Sequence, residues 1–374
     1  MAGIYIHIPF CKKACHYCNF HFSTSTKQIE PLVECLLKEI GLRKDYTKET
    51  IETIYFGGGT PSILSAEQIL KILQAVKDNY IVSNDAEITL ESNPDDIDPD
   101  KLLQWKEMGI NRLSIGIQSF REDDLLWMNR AHNASQAYEC IKLAQEYGFN
   151  NITIDLIYGV PNLSDEHWKE NINTALSLNI PHLSCYALTV EPKTALDKLI
   201  QTKKKEAVDT DKQATHFLIL MEALNNAGFE HYEISNFAIP GYRSKHNSSY
   251  WQGKHYVGIG PSAHSFNGDS RQWNVANNAL YIQAINNNIL PSEKEILTPH
   301  QQFNEYVMTA LRTIDGIDLN YLTERYGNEK FLHVKKEIIK WKEQGLAQVS
   351  EKNIKLTSAG KLMADGIASD LFII

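Results

Sequence analysis

An α/β fold assembled from parallel βα units is what this chain of 374 residues predicts, and two observations carry that reading. Through the first half, a β-branched run, a polar turn and a helical pattern follow one another repeatedly. Within the strand-like runs, apolar and polar residues also alternate. The runs fall near 3–9, 51–57, 86–92, 112–118, 151–158 and 182–189, and 65–79, 99–108 and 135–147 carry apolar residues at helical spacing. Strands alternating with helices mark a parallel sheet, open or barrel-like. Six units fall short of the eight that close a full barrel.

Alternation matters because successive strand side chains point to opposite faces. In 3–9, Ile4, Ile6 and Ile8 oppose Tyr5 and His7; in 86–92, Ile88 and Leu90 oppose Thr89 and Glu91. In 112–118, Leu113, Ile115 and Ile117 oppose Ser114, Gly116 and Gln118, and in 151–157, Ile152, Ile154 and Leu156 oppose Thr153, Asp155 and Ile157. A parallel sheet covered on both sides reads apolar throughout. One face here is expected to pack helices and the other to line a polar cavity; polar residues placed at strand ends near water are the plainer alternative.

Further along, 210–227 is helical and stops at Gly228. Before it, Lys203-Lys204-Lys205-Glu206 reads as a solvated helix start. The stretch 229–270 is rich in Gly, Asn, Ser, His and aromatics and reads as irregular with short strands. Helices are expected at 301–313, 318–326 and 331–344, then a strand-turn-strand at 346–349 and 354–356 and a last helix from Ser358. That order resembles a winged-helix-like cap. The expected division is 1–228, 229–295 and 296–374.

Composition is that of a soluble globular protein, 43% hydrophobic and 22% charged, with no apolar run of membrane-spanning length. The N-terminus enters a strand at once, without a signal peptide's basic and apolar regions, which predicts a cytoplasmic setting. A net charge of −9 argues against nucleic acid as a partner. Six cysteines make no disulfide framework in a chain this long. Cys35, Cys140 and Cys185 stand in apolar contexts and read as ordinary buried residues.

The other three thiols form Cys11-Lys12-Lys13-Ala14-Cys15-His16-Tyr17-Cys18, spaced C-x3-C-x2-C just past the first strand. A zinc site completed by His16 or His21 would account for them, although structural zinc cysteines normally come in pairs. Unliganded thiols beside His and Lys would be exposed and reactive. The third reading is an iron–sulfur cluster with one iron lacking a protein ligand, because complete ligation takes four thiolates.

That third reading resembles the signature of the radical S-adenosylmethionine (SAM) superfamily, in which SAM chelates the open iron of a [4Fe-4S] cluster. Gly57-Gly58-Gly59-Thr60-Pro61-Ser62 follows the second strand, as the superfamily's glycine motif does, and glycines there let the backbone approach a ligand closely. More narrowly, the chain resembles the anaerobic coproporphyrinogen III oxidase family. The stretches carrying this are Tyr5 to Cys11, Tyr55 to Ser62, Glu91-Ser92-Asn93-Pro94, Gly116 to Phe120, Asn129-Arg130 and Asp155 to Pro161. The resemblance implies a partial (β/α)6 TIM-like radical SAM barrel with a smaller C-terminal domain. It also implies SAM contacts by Tyr5, Tyr17, Gly58, Gly59, Thr60, Glu91, Gln118, Arg130 and Asp155. Their chemistry suits that: Glu91 could accept from the amino group or ribose, Arg130 could pair with the carboxylate, and Gln118 and Asp155 could bond ribose hydroxyls.

Two features separate the branches of this family. Oxidases of the HemN branch carry a fourth cysteine two positions after the third, where this chain has Phe20. The HemW branch bears H-N-x-x-Y-W, matched by His246-Asn247-Ser248-Ser249-Tyr250-Trp251. An imidazole that can ligate iron beside aromatic surface suits a flat macrocycle. Resemblance to that branch therefore implies a haem chaperone: haem held near His246, Tyr250 and Trp251 and passed to acceptor haemoproteins, among them membrane respiratory enzymes. It leaves room for a homodimer and for peripheral contact with the inner face of the membrane. The rival is an oxygen-independent coproporphyrinogen III oxidase.

Overall fold

The computed structural model describes residues 2–373. A twelve-stranded sheet runs through it: β1 (Ala2–Ile8), β2 (Ile51–Gly58), β3 (Val82–Ser92), β4 (Arg112–Gln118), β5 (Ile152–Tyr158), β6 (His182–Ala187), β7 (Glu230–Glu233), β8 (Asn236–Ala238), β9 (His255–Ile259), β10 (His264–Phe266), β11 (Ser270–Asn274) and β12 (Ser292–Ile296). Strands β1 to β6 lie side by side and parallel, joined by helices such as Ile29–Leu42, Ala66–Asn79 and Ala134–Glu146. This is the expected α/β arrangement. Beyond β6 stand β8 and β7, antiparallel; beyond β1 stands β9, parallel to it, followed by antiparallel β10, β11 and β12.

Parity explains the layering. Ile4, Ile6, Ile8, Leu113, Ile115, Ile117, Ile154 and Leu156 are fully buried against the helices, each adding about 1.5–3 kcal/mol of transfer free energy. The opposite face carries Tyr5, Thr89, Glu91, Ser114, Gly116, Thr153 and Asp155. Helix starts are well marked: Ser65 and Asn133 each form a reciprocal capping box with a glutamine three residues on.

The stretch after residue 229 is more regular than its composition suggests. It supplies six strands of the sheet, and the helix Lys245–Trp251 interrupts them. Ser244 caps that helix by accepting from the Asn247 amide. The lysine run does not begin a helix. It follows the helix Ala195–Gln201, where Lys203 takes φ +57° and the chain turns, and Lys205 packs over the Trp127 ring at 4.0 Å.

Residues from Phe303 onward have a core of their own, including Val307, Leu311, Ile317, Leu322, Val334 and Ile354. Around it, helices accompany the antiparallel sheet β13 (Ile317–Asp318), β14 (Ala347–Val349) and β15 (Asn353–Leu356), as a winged-helix-like order requires. The expected helix at 331–344 is two, Asn328–Glu337 and Ile339–Glu343. Among the described residues, no helix is long and apolar enough to cross a membrane.

Candidate cluster and cofactor site

The cysteine loop leaves the C-terminal end of β1 and is pinned by its backbone. Cys11 N–H donates to the Ser23 carbonyl at 3.0 Å and His16 N–H to that of Met128 at 3.1 Å. All three thiols are half-buried. Cys11 Sγ accepts from the Thr60 hydroxyl at 3.4 Å, and Cys15 Sγ from Arg130 Nη1 at 3.2 Å. Burial pushes the Cys11 thiol up to about 11 and raises Cys18 too, so these two are held as neutral thiols until a metal displaces their protons. Among the described residues, no three His, Cys, Asp or Glu side chains are grouped to hold a single metal ion.

Two imidazoles stand near the loop. His16 Nδ1 faces the Trp127 carbonyl at 3.2 Å, and His21 Nε2 faces Asn278 Oδ1 at 2.7 Å. Each has one ring nitrogen held, as metal-ligating histidines also do. Phe20, where a fourth cysteine could stand, is 68% exposed.

Beside the loop, most of the residues expected to hold SAM converge at the C-terminal ends of β2 to β5. Glu91 accepts from Tyr55 OH at 2.8 Å and from Gly58 N–H at 3.2 Å. Arg130 donates through Nη2 to Gly116 O at 2.7 Å and Asn93 Oδ1 at 2.9 Å, and reaches Tyr17 OH at 3.5 Å. Its Nε is buried with no hydrogen-bond partner among the described residues, as are Thr89 Oγ1 and Ser92 Oγ. Gln118 ends β4 at φ +66°, on the same face as Gly116. The glycines let the turn pack closely on the first strand and the loop after it: a Cβ on Gly58, itself at φ +110°, would lie 2.6 Å from the His7 ring, and one on Gly59 2.6 Å from the Phe10 carbonyl. Buried orphan donors beside a glycine cradle suit a polar ligand.

Electrostatics give the pocket its sign. Burial pushes Glu91 up to about 7, with Asp155 adding repulsion and Tyr55 and Gly58 opposing. Burial likewise pushes Asp155 up to about 7, against Arg130 and Arg112. Two carboxyls forced toward neutrality in one cleft favour a cationic occupant. Burial opposes the charge of Arg130, yet Tyr17 and Cys15 hold its pKa above the ordinary value. Asn93, Tyr55 and His7 also belong to the site and were not singled out by sequence. His7 shared the face of Tyr5, which was the available signal.

His246 lies elsewhere than at an open edge. It is 2% exposed, on the floor of the barrel among the N-terminal ends of the strands. Nδ1 meets Thr53 Oγ1 at 2.7 Å, Nε2 meets Tyr250 OH at 2.8 Å, and the ring stacks on Tyr55 at 4.9 Å. Its backbone N–H donates to Glu87 at 3.1 Å. Burial, then Arg112, lowers its pKa to about 3, so the ring is neutral and both nitrogens are occupied. Tyr250 and Trp251 instead face a cavity of about 1170 Å³ between the barrel and the C-terminal domain, also lined by Tyr5, His264, Arg271 and Tyr326.

Comparison with known proteins agrees with this architecture. The model of the radical SAM superfamily matches residues 5–175, and that of the HemN C-terminal domain matches 297–363. The heme chaperone HemW of Bacillus subtilis is 36% identical over 98% of each chain. That of Escherichia coli K12 is 36% identical over 70% of this chain and 69% of its own. The solved structure of the E. coli coproporphyrinogen III oxidase HemN, a radical SAM enzyme, superposes with a TM-score of 0.86 at 24% identity, covering 99% of this chain and 90% of that one. A radical SAM fold implies a [4Fe-4S] cluster and SAM. With its cysteine loop, glycine cradle and relatives of full length, the chain belongs to the radical SAM superfamily, in the HemW branch of the anaerobic coproporphyrinogen III oxidase family.

Proposed function

We propose that this chain is a haem chaperone that holds a [4Fe-4S] cluster through Cys11, Cys15 and Cys18, binds exchangeable SAM at its open iron, and passes haem to acceptor haemoproteins. The observation that carries this reading is the juxtaposition of the thiol loop with an adjoining aromatic cavity large enough for a macrocycle. Support also comes from relatives called heme chaperone and from Phe20, which leaves the set at three thiols.

When bound, SAM supplies a sulfonium that an electron from the cluster can split. The chain's own residues orient it. Arg130 steadies the Cys15 thiolate and offers Nε toward a carboxylate. Glu91 and Asp155 accept from ammonium or hydroxyl groups, with Gln118 beside them. Gly58 and Gly59 admit the methionyl moiety, Thr60 holds Cys11, and Tyr5 and Tyr17 shield the cleft from water. Tyr250 and Trp251 form one wall of the haem cavity, while His246 positions Tyr250 from below.

Transfer is the direct test. Haem-loaded protein mixed with an apo-haemoprotein should lose its Soret band as the acceptor's appears; retention of all haem would count against a chaperone. Anaerobic reconstitution should give about four irons per chain, lost in Cys15→Ala, whereas stoichiometric zinc would sink the cluster assignment. Coproporphyrinogen oxidation is the second reading, favoured by the near-complete structural match to HemN.

A further inference from the structure

We propose that His264, at the start of β10, is the axial ligand through which the cavity takes haem iron, with Arg271 placed to meet a propionate. This assignment rests on the haem reading of the cavity. Four histidines line that cavity: His7, His21, His255 and His264. Each of the other three has at least one ring nitrogen held. His7 is buried, with Nε2 donating to the His21 carbonyl at 3.0 Å and Nδ1 accepting from Tyr5 OH at 3.1 Å. His21 Nε2 is held by Asn278 at 2.7 Å. His255 Nδ1 is held by Glu49 at 3.0 Å.

His264 alone presents a partly exposed ring with neither nitrogen hydrogen-bonded among the described residues. Its backbone is nonetheless rigid. β10 pairs with β11, His264 opposite Trp273, and the two rings lie 6.2 Å apart. The His264 carbonyl rests directly on β9, where a Cβ on Gly258 would come within 2.0 Å of it. Burial, then Arg271, lowers its pKa, which keeps the iron-binding lone pair available at neutral pH.

Flat walls flank it. Tyr250 meets Tyr256 edge-on at 4.7 Å, and Phe266 lies 6.2 Å from Tyr256. The Arg271 guanidinium sits 5.4 Å from the centre of the Phe266 ring, and its Nε donates to Glu305 at 2.8 Å. That bond orients the fork and leaves its terminal nitrogens to face a carboxylate. An imidazole, aromatic walls and a guanidinium around one cavity match iron, macrocycle and propionate in turn.

Haemin titration of the full-length wild type, His264→Ala and His264→Cys, read by absorbance and electron paramagnetic resonance, tests this. His264→Ala should lose the histidine-ligated spectrum and weaken binding about tenfold or more. Imidazole should restore the spectrum, and His264→Cys should convert it to a thiolate type. A wild type that binds no haem overturns the assignment together with the haem reading. A wild type that binds, with His264→Ala spectrally unchanged, overturns the assignment alone.

Discussion

Glu91 and Asp155 are buried carboxyls poised near neutrality, and their protonation should govern cofactor binding. Each is pushed up to about 7, hence mostly protonated at pH 6 and mostly charged at pH 8. The cationic groups of SAM favour the charged forms. Affinity should therefore tighten as pH rises from 6 to 8, with protons released on binding, measurable by calorimetry in buffers of different ionisation enthalpy. Glu91→Gln should weaken SAM binding about tenfold at pH 8 and flatten the pH dependence. In the ligand-free protein the sign runs the other way. Both folded-state values exceed the ordinary carboxyl range, so these groups favour folding at low pH and lose that contribution as pH rises toward about 7. Both residues were legible in the sequence because strand parity put them opposite Leu90 and Leu156. What parity could not reveal was their mutual proximity, which depends on how neighbouring strands register.

At the scale of the element, the helix Lys245–Trp251 is the least expected part of the molecule. Asn and Ser are weak helix formers, and the motif suggested a loop offering an imidazole to haem. Tertiary contacts decide otherwise: Glu87 accepts the Lys245 and His246 amides at the helix start, and Thr53 and Tyr250 take the ring. Glu87 and Thr53 come from strands far away in sequence, so no local pattern could report them. His246→Ala should leave Thr53 and Tyr250 unpaired and open a cavity beside Tyr55, costing about 2–4 kcal/mol. Thermal or urea unfolding would show it. A variant as stable as wild type would mean that His246 is not the floor of the barrel. The lysine run misled for a related reason, since Lys203 terminates one helix rather than opening the next.

Across the whole molecule, the C-terminal domain is fastened to the barrel where the cavity lies. Arg312 contacts the buried Glu233 at 3.1 Å and Asp365 at 3.2 Å, and its guanidinium lies 5.2 Å from the Trp251 ring. Ile234 N–H donates to the Arg312 carbonyl, and Ile314 N–H to that of Tyr232. Arg312→Ala would strand the Glu233 carboxylate. Because Arg312 is partly exposed, we expect a loss of about 2–3 kcal/mol rather than that of a fully buried pair. The interface should loosen, with faster limited proteolysis between the domains and weaker haem retention. The C-terminal domain of helices and short strands was readable from the switch in element order near residue 300. The pairing of β9 with β1 was not, because it joins segments about 250 residues apart.

A haem carrier and a porphyrin-decarboxylating enzyme differ in what they do with the same two tetrapyrroles. The most direct measurement incubates the anaerobically reconstituted chain with coproporphyrinogen III, SAM and reductant, and titrates the same preparation with haem. Haem uptake without protoporphyrinogen IX formation is the predicted result. Turnover to protoporphyrinogen IX, with no haem bound, would contradict it.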